Sequence, residues 1–163
     1  MSPGTNDAGG EAVMSVDVVN GVLERYNFDR SCVIGILQDI QRELRWLPEE
    51  VLRMVALRLE IPLTQLYAIG SFYRAFSLKP RGRHLVNVCL GTACHVRGGV
   101  AIEQALEKGL KILPGETTAD DRFTMEIVRC VGCCGLAPVV VVDESFHGRL
   151  APAEAVKALE NYK

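Results

Sequence analysis

Apolar side chains recur at helical spacing in the first half of the chain. A helical pattern begins near Val18, and a second helix is predicted from the stripe Val33, Leu37, Ile40 and Leu44, at steps of four, three and four residues. Polar and charged residues fill the positions between these apolar ones, so each helix is expected to bury one face and to expose the other.

Two more helices are predicted before residue 78. Pro48 in the first turn, followed by Glu49 and Glu50 near the positive end of the helix dipole, is typical of a helix start. Pro62 opens the fourth helix. The apolar positions of these two helices are Val51, Met54, Val55 and Leu57, then Leu63, Leu66, Tyr67, Ile69, Phe72, Tyr73 and Phe76. We interpret Tyr67, Phe72, Tyr73 and Phe76 as core residues, because they recur at helical spacing, rather than as a substrate pocket.

Short apolar runs separated by loops follow from residue 84 onward. The predicted strands and helices are strand 85–88, helix 100–108, strand 124–128, strand 139–142, a return strand near 146–150 and a closing helix 152–162. The run of four valines from Val139 to Val142 indicates a strand that is buried on both faces. The predicted fold class is therefore α+β, with a small N-terminal helical bundle over residues 15–78 and an α/β domain over residues 84–163.

The two remaining segments connect or precede these domains. Residues 1–14 are rich in Gly, Ser and Asp and hold few large apolar side chains, so a disordered tail is expected. Residues 79–83, Lys-Pro-Arg-Gly-Arg, are predicted to be a linker, because proline and glycine break the helix and three cations prefer water. Those cations either remain solvated or take part in docking.

Composition excludes several classes of function. The chain has 163 residues, is 48% hydrophobic and carries a net charge of −2, so no overall field selects nucleic acid or an anionic membrane. No apolar run approaches the length of a membrane span, and no segment resembles a signal peptide. Six cysteines without an export signal indicate a reducing, cytoplasmic environment, in which cysteine clusters more often bind metal than form disulfides.

Five of the six cysteines lie in two short loops that each follow a predicted strand. The first loop holds Cys89 and Cys94, and the second holds Cys130, Cys133 and Cys134. The nearby glycines at positions 91, 132 and 135 remove side-chain bulk and let the backbone approach whatever the sulfurs hold.

Two thiolates from each loop give four soft ligands, which suit an iron–sulfur cluster or zinc. The spacing C-x4-C and C-x3-C is wider than that of zinc knuckles and allows each pair to bind one iron of a two-iron cluster. A disulfide framework, or buried thiols without a metal, is the alternative. Cys32, at a helix start far from the other cysteines, is interpreted as a packing residue.

The two loops also resemble a known family. The segment from Cys89 to Gly99, CLGTACHVRGG, together with Cys130-x3-Cys134-Gly-Leu-Ala-Pro, resembles the thioredoxin-like [2Fe-2S] ferredoxins. Within them the chain is most similar to the 24 kDa-type subunits of NADH:quinone oxidoreductase (complex I) and to their relatives in NAD-linked or bifurcating hydrogenases and formate dehydrogenases. The segments ILQDIQ, LPEE and IGSFY, and the stretch from Lys79 to Gly82, carry the same resemblance.

The resemblance implies a thioredoxin-like fold for residues 84–163 and a single [2Fe-2S] cluster. It implies Cys89 and Cys94 as ligands of one iron and Cys130 and Cys134 as ligands of the other, with Cys133 as a non-ligand. The implied partners are a flavin-bearing, NADH-oxidising subunit that holds FMN and NAD(H), and further iron–sulfur subunits. Nucleic acid and a membrane span are not expected.

No site for hydride transfer is visible, because the chain has neither a G-x-G-x-x-G sequence after a strand nor a phosphate-binding G-x4-G-K. The chain is therefore expected to serve an oxidoreductase as a non-catalytic electron-transfer subunit, cytoplasmic or peripheral to a membrane complex. His95, Arg97 and Arg129 lie beside the cysteines, where cations would stabilise a negatively charged cluster. Two other functions stay open from the residues: a thiol–disulfide redox protein and a structural zinc module for assembly.

Overall fold

The structure is a computed structural model that describes residues 8–162, with side chains described from residue 15 onward. The chain divides into two compact units, Met1–Pro80 and Arg81–Lys163, and the division falls inside the segment 79–83. In the part of the chain that is described, no helix is long and apolar enough to cross a membrane.

The first unit is a bundle of four helices, as its apolar pattern predicts. They are α1 (Ala8–Arg25), α2 (Val33–Leu44), α3 (Glu49–Leu59) and α4 (Leu63–Phe72), with a 3-10 turn at Arg30–Cys32 before α2. Helix α1 begins inside the segment 1–14 for which a disordered tail was predicted, and residues 1–7 lie outside the described residues.

The bundle core consists of the inner faces of these helices. Its largest fully buried side chains are Leu23, Ile36, Leu37, Ile40, Leu47, Leu52 and Leu66. The prediction that Leu57 is a core residue is wrong, because its side chain is 80% exposed. Val55 and Leu59 are buried one turn apart on α3, and Leu57, midway between them, points to the opposite side of the helix.

The aromatic residues at the end of the bundle divide into buried and exposed ones. Phe76 is buried and Tyr67 is half-buried, in agreement with a core role, but Phe72 is 78% exposed and Tyr73 is also exposed. The core interpretation is therefore wrong for Phe72 and Tyr73. Phe72 lies on the opposite side of α4 from the buried Gly70, two residues earlier, and the backbone is extended at Tyr73, so helical spacing no longer decides which way Tyr73 faces.

Gln41, which the pattern placed on the solvent side of α2, holds the chain that follows α4. Its side-chain Nε2 donates to the carbonyl of Ala75 at 2.7 Å, and its Oε1 accepts from the amide of Ser77 at 2.6 Å. The amide of Leu47 donates to the carbonyl of Ser77 at 2.8 Å. These hydrogen bonds satisfy backbone groups that have no helical partner and fix the path of the segment.

The second unit contains a four-stranded mixed sheet with helices, which confirms the predicted α+β class. The strands are β1 (His84–Cys89), β2 (Phe123–Val128), β3 (Val139–Val142) and β4 (Ser145–Gly148), and the helices are α5 (Thr92–Val96), α6 (Gly99–Leu110) and α7 (Pro152–Ala158). The strand order is β2-β1-β3-β4, in which β1 and β2 are parallel and the other neighbours are antiparallel. Helix α5 was not predicted, and α7 ends at Ala158, where a 3-10 turn continues to Asn161.

All four valines of β3 are buried, as the continuous apolar run predicts. Val140 and Val142 belong to the apolar cluster that includes Ile102 and Leu106 of α6. Val139 and Val141 face the other way, into a cluster with Cys89 and Cys94. One face of β3 therefore packs on the helices, and the other supports the cysteine loops.

The segment 79–83 is not solvated throughout. The side chain of Arg81 is only 11% exposed, and its Nη2 lies 2.7 Å from Oε1 of Glu126 on β2. The amide of Gly82 donates to the buried Oγ1 of Thr124 at 2.7 Å. Arg81 and Gly82 are therefore part of the second unit, and the solvated interpretation is wrong for these two residues.

Candidate metal centre

The two cysteine loops meet because they leave neighbouring parallel strands. Cys89 is the last residue of β1 and lies in register with Val128, the last residue of β2. Parallel strands end at the same edge of a sheet, so both loops begin there. Strand β3 runs antiparallel to β1 on its other side, so the second loop must cross the end of β1 to reach Val139. The peptide bond between Ala137 and Pro138, just before β3, is cis.

Glycines allow the close approach of these loops. A Cβ on Gly91 would lie far inside contact distance of the carbonyl oxygen of Arg129, so the first loop can pass the second only without a side chain there. A Cβ on Gly99, the first residue of α6, would lie 2.9 Å from the carbonyl oxygen of Cys94 and 3.1 Å from that of Cys89. Gly135, by contrast, faces open space.

The four predicted ligands line one pocket of about 560 Å³. The residues that line it are Cys89, Gly91, Thr92, Ala93, Cys94, Val96, Arg97, Arg129, Cys130 and Cys134. Cys133 is not among them: it packs against the apolar cluster that contains Val139 and Val141. Cys32 packs against the core of the first unit. The four cysteines that were predicted as ligands therefore line one pocket, whereas Cys133 packs against the apolar cluster that includes Cys89 and Cys94 but does not line the pocket, and Cys32 lies in the other unit.

The thiols are arranged as two pairs, one buried and one exposed. Cys89 and Cys94 are buried, whereas Cys130 and Cys134 are exposed. Burial raises the pKa of the Cys94 thiol, and its hydrogen bond with Cys89 raises it further. The neighbouring Cys130 raises the pKa of the Cys134 thiol by charge repulsion and by a hydrogen bond. Both thiols therefore hold their protons at neutral pH until a cation replaces them.

Among the described residues, no three His, Cys, Asp or Glu side chains are placed to hold a single metal ion together. The contacts are instead between Cys89 and Cys94 in one loop and between Cys130 and Cys134 in the other. Cys134 also lies close enough to Cys94 and to Cys89 for a charge interaction between the loops.

A backbone amide is directed at one of the sulfurs. The amide of Gly132 donates to Sγ of Cys130 at 3.3 Å. Gly132 has a φ of 81°, in the left-handed region, and this conformation turns its N–H back toward the preceding cysteine. Hydrogen bonds to cysteine sulfur are among the interactions that set the reduction potential of iron–sulfur clusters.

The charged side chains that line the pocket are positive, and Glu103 on α6 lies close enough to Arg129 and His95 to interact with their charges. Arg97 and Arg129 line it, and His95 is exposed on α5 between Cys94 and Arg97. Sequence reasoning identified these three residues from their position beside the cysteines. It missed the pocket-lining Thr92 and Val96 and the close approach of Gly99, because each depends on how α5 turns the chain after β1.

Comparison with known proteins shows the family to which the chain belongs. The family model described as thioredoxin-like [2Fe-2S] ferredoxin matches residues 19–163. The chain is 40% identical over 130 residues to the NADP-reducing hydrogenase subunit HndA of Solidesulfovibrio fructosivorans, covering 80% of this chain and 76% of that protein. It is 33% identical over 147 residues to one of the NADH-quinone oxidoreductase subunits of Escherichia coli (strain K12), covering 90% and 89% of the two chains.

Solved structures show the same fold. The crystal structure of an NAD+-reducing [NiFe]-hydrogenase in the H2-reduced state matches with a TM-score of 0.67 at 25% identity. The match covers 78% of this chain, which spans only about a fifth of the solved chain, since 22% of that chain is covered.

Proposed function

The chain belongs to the thioredoxin-like [2Fe-2S] ferredoxin family, and on that premise we propose that it is an electron-transfer subunit of a multi-subunit NAD(H)-linked oxidoreductase. One [2Fe-2S] cluster would be held by Cys89 and Cys94 on one iron and by Cys130 and Cys134 on the other. The observation that carries this proposal is that these four cysteines, and neither of the other two, line one pocket where two loops meet.

The residues fit the cluster by the chemistry of their donor atoms. Four thiols are available, and thiolate sulfur stabilises both ferric and ferrous iron. They come as two pairs, which suits two irons joined by bridging sulfides. When bound, such a cluster supplies a redox centre that takes up or releases one electron at a time.

The protein controls access to this centre through the unequal burial of the pairs. The buried Cys89 and Cys94 rest on the apolar cluster with Val139 and Val141, so water is excluded from that side. Cys130 and Cys134 lie at the surface, which is where a partner protein can approach the sulfurs. The buried pair, Cys89 and Cys94, therefore fixes the geometry of the site, and the exposed pair, Cys130 and Cys134, allows electron exchange with a partner.

Charged and polar groups of the chain stabilise negative charge in the pocket. Arg97 and Arg129 place guanidinium groups at its edge, and the amide of Gly132 donates to Cys130. A two-iron cluster with four thiolates is about two charges negative when oxidised and more negative when reduced. Cations favour the reduced form most, so these residues raise the reduction potential.

We further propose that the electrons pass to or from an FMN-bearing, NADH-oxidising subunit, and that further iron–sulfur subunits complete the complex. NADH delivers its two electrons together as a hydride, whereas a cluster of this kind accepts one, so a flavin must separate them. Two relatives are subunits of NADP-reducing hydrogenase and NADH-quinone oxidoreductase, which supports a partner of this kind. We propose that the protein is cytoplasmic or peripheral to a membrane complex.

The thiol–disulfide alternative is not favoured by the site. Redox-active cysteines of that class need a lowered pKa, because the thiolate is the nucleophile. Burial and the neighbouring thiols instead raise the pKa of Cys94 and Cys134.

The proposed function is tested by reduction of the purified, cluster-loaded protein under anaerobic conditions. Dithionite should bleach the visible absorption with one electron per chain, and NADH alone should leave it unchanged. Addition of the FMN-containing subunit should then make the bleaching NADH-dependent. Steady oxidation of NADH by the flavin-free chain would contradict the proposal.

A further inference from the structure

Helix α6 places a carboxylate beside the cysteine pocket. Its first residue, Gly99, lies against the main chain of both buried cysteines, since a Cβ there would be 2.9 Å from the carbonyl oxygen of Cys94 and 3.1 Å from that of Cys89. Glu103 follows four residues later, on the same side of the helix and about 6 Å along its axis. Helical side chains lean toward the helix N-terminus, so the carboxylate of Glu103 is directed back toward the end where the cysteines lie.

Glu103 interacts with the cations of the site and with the neighbouring Glu107. It is half-buried and lies close enough to Arg129 and His95 for their charges to act on it. Burial raises the pKa of its carboxyl group and Glu107 raises it further, whereas Arg129 and His95 lower it. Among the described residues, neither cation forms an ion pair with Glu103, so these charges act across a gap rather than through a contact.

The cysteine loops themselves supply no negative side chain. The segments 89–99 and 129–138 contain Arg97 and Arg129 but no aspartate or glutamate, although the chain has 20 acidic residues. A carboxylate that interacts with these positive surroundings must therefore come from another element of the fold. Helix α6 supplies one in Glu103.

We propose that Glu103 tunes the cluster: its negative charge lowers the reduction potential that Arg97 and Arg129 raise. The inference rests on the proposed function and assigns to this chain a residue that sets how strongly the cluster holds its electron. Reduction adds a negative charge to the site, and a carboxylate nearby makes that addition less favourable. Half-burial strengthens the effect, because charges partly removed from water are screened less. Glu103 thus offsets the arginines and makes the reduced cluster a better electron donor.

The test is a redox titration of the full, cluster-loaded chain at mildly alkaline pH and low salt, followed by the EPR signal of the reduced cluster. Glu103→Gln removes the charge and keeps the shape of the side chain, so the midpoint potential should become more positive. Glu103→Lys changes the charge twice as much, and its shift should be about twice as large in the same direction. Arg129→Gln should move the potential in the opposite direction. High salt should diminish all three shifts.

Glu144 provides the matched control, because it lies at the opposite end of the sheet. It is exposed in the turn that joins β3 to β4, and Val142, two residues before it, pairs with Val86 near the start of β1, whereas the pocket lies at the end of that strand. Glu144→Gln and Glu144→Lys should leave the midpoint potential unchanged. Glu107→Gln removes a carboxylate one turn further along α6 than Glu103, so it should shift the potential in the same direction as Glu103→Gln but less.

The sign of the shift separates a charge effect from a structural one. A more negative potential in Glu103→Gln would show that Glu103 acts by holding Arg129 near the cluster, and would overturn the proposal. An unchanged potential in both Glu103 variants, or an equal shift in Glu144→Lys, would overturn it as well. If Glu103→Lys fails to hold a cluster, Glu103→Gln and Glu107→Gln still decide the question.

The proposed function is tested separately by the uptake of one electron from dithionite by the unaltered chain. Failure there would remove the cluster itself. A cluster that takes up its electron at the same potential with and without Glu103 would remove only the role of Glu103.

Discussion

Adjacent cysteines lie in different surroundings at the scale of single residues. Cys134 lines the pocket, whereas Cys133 packs into the apolar cluster beneath it. Cys133 directly precedes a 3-10 turn at Cys134–Leu136, and the side chains of the two adjacent cysteines point in different directions. Residue type alone cannot separate them, because both are thiols in the same loop.

The ligand assignment predicts how single substitutions act on the cluster. Serine or alanine at Cys89, Cys94, Cys130 or Cys134 should abolish the cluster or change its spectrum, since each replacement removes a thiolate ligand. Visible absorption and the EPR signal of the dithionite-reduced protein measure this.

Cys133→Ala and Cys32→Ala are the matched controls, because they also remove a thiol. Both should retain the spectrum of the unaltered protein. A protein that loses the cluster through Cys133→Ala and keeps it through Cys134→Ala would show that the assignment of the second loop is wrong.

At the scale of elements, the site depends on the pairing of β1 with β2. Because these strands are parallel and in register, the first and second cysteine loops start side by side. The amide of Leu90 still donates to the carbonyl of Val128 at 2.9 Å, so the strand pairing continues into the first loop. At Gly91 the first loop passes close to the carbonyl oxygen of Arg129 in the second.

Gly91→Ala should therefore disturb the site. The added methyl group meets the carbonyl oxygen of Arg129, and the loops must separate to admit it. Overpacking of this kind costs about 1–3 kcal/mol of stability. We expect a lower midpoint in urea unfolding and less cluster per chain by iron analysis.

Gly135→Ala is the control, since a Cβ there meets nothing within contact distance and the backbone φ is not positive. Its stability and iron content should remain close to those of the unaltered chain. Equal effects of the two substitutions would show that the approach of Gly91 to Arg129 does not limit the site.

At the scale of the whole molecule, the chain consists of two units with separate cores. Every element that places a cysteine of the pocket lies in the second unit, Arg81–Lys163. Arg81 anchors the start of this unit, because its guanidinium group is largely buried and paired with Glu126.

A fragment of residues 81–163 is therefore predicted to fold and to hold the cluster. A fragment of residues 84–163 lacks the bonds that Arg81 makes to Glu126 and Gly82 makes to Thr124. It should be less stable by about 1–3 kcal/mol, since hydrogen bonds to charged groups contribute roughly that much. Urea unfolding and visible absorption after reconstitution compare the two.

Failure of the longer fragment to fold or to bind iron would show that the second unit needs the helical bundle. Equal stability of the two fragments would show that the Arg81–Glu126 pair contributes nothing.

The sequence by itself determined the features that depend on local pattern. Apolar residues at helical spacing specify the four helices of the bundle, and the valine run specifies a strand buried on both faces. The cysteine pairs, their glycines and the arginines beside them are readable because ligand chemistry requires these residue types within a few positions of one another.

Only the tertiary structure decided which distant residues meet. The strand order brings the second loop across the end of β1, buries Arg81 against Glu126, and carries Arg149 to Leu136. The extended backbone after α4 leaves Tyr73 exposed although its spacing fits a core position. These outcomes follow from strand pairing and chain reversal between residues far apart in the sequence, and local periodicity carries no information about such contacts.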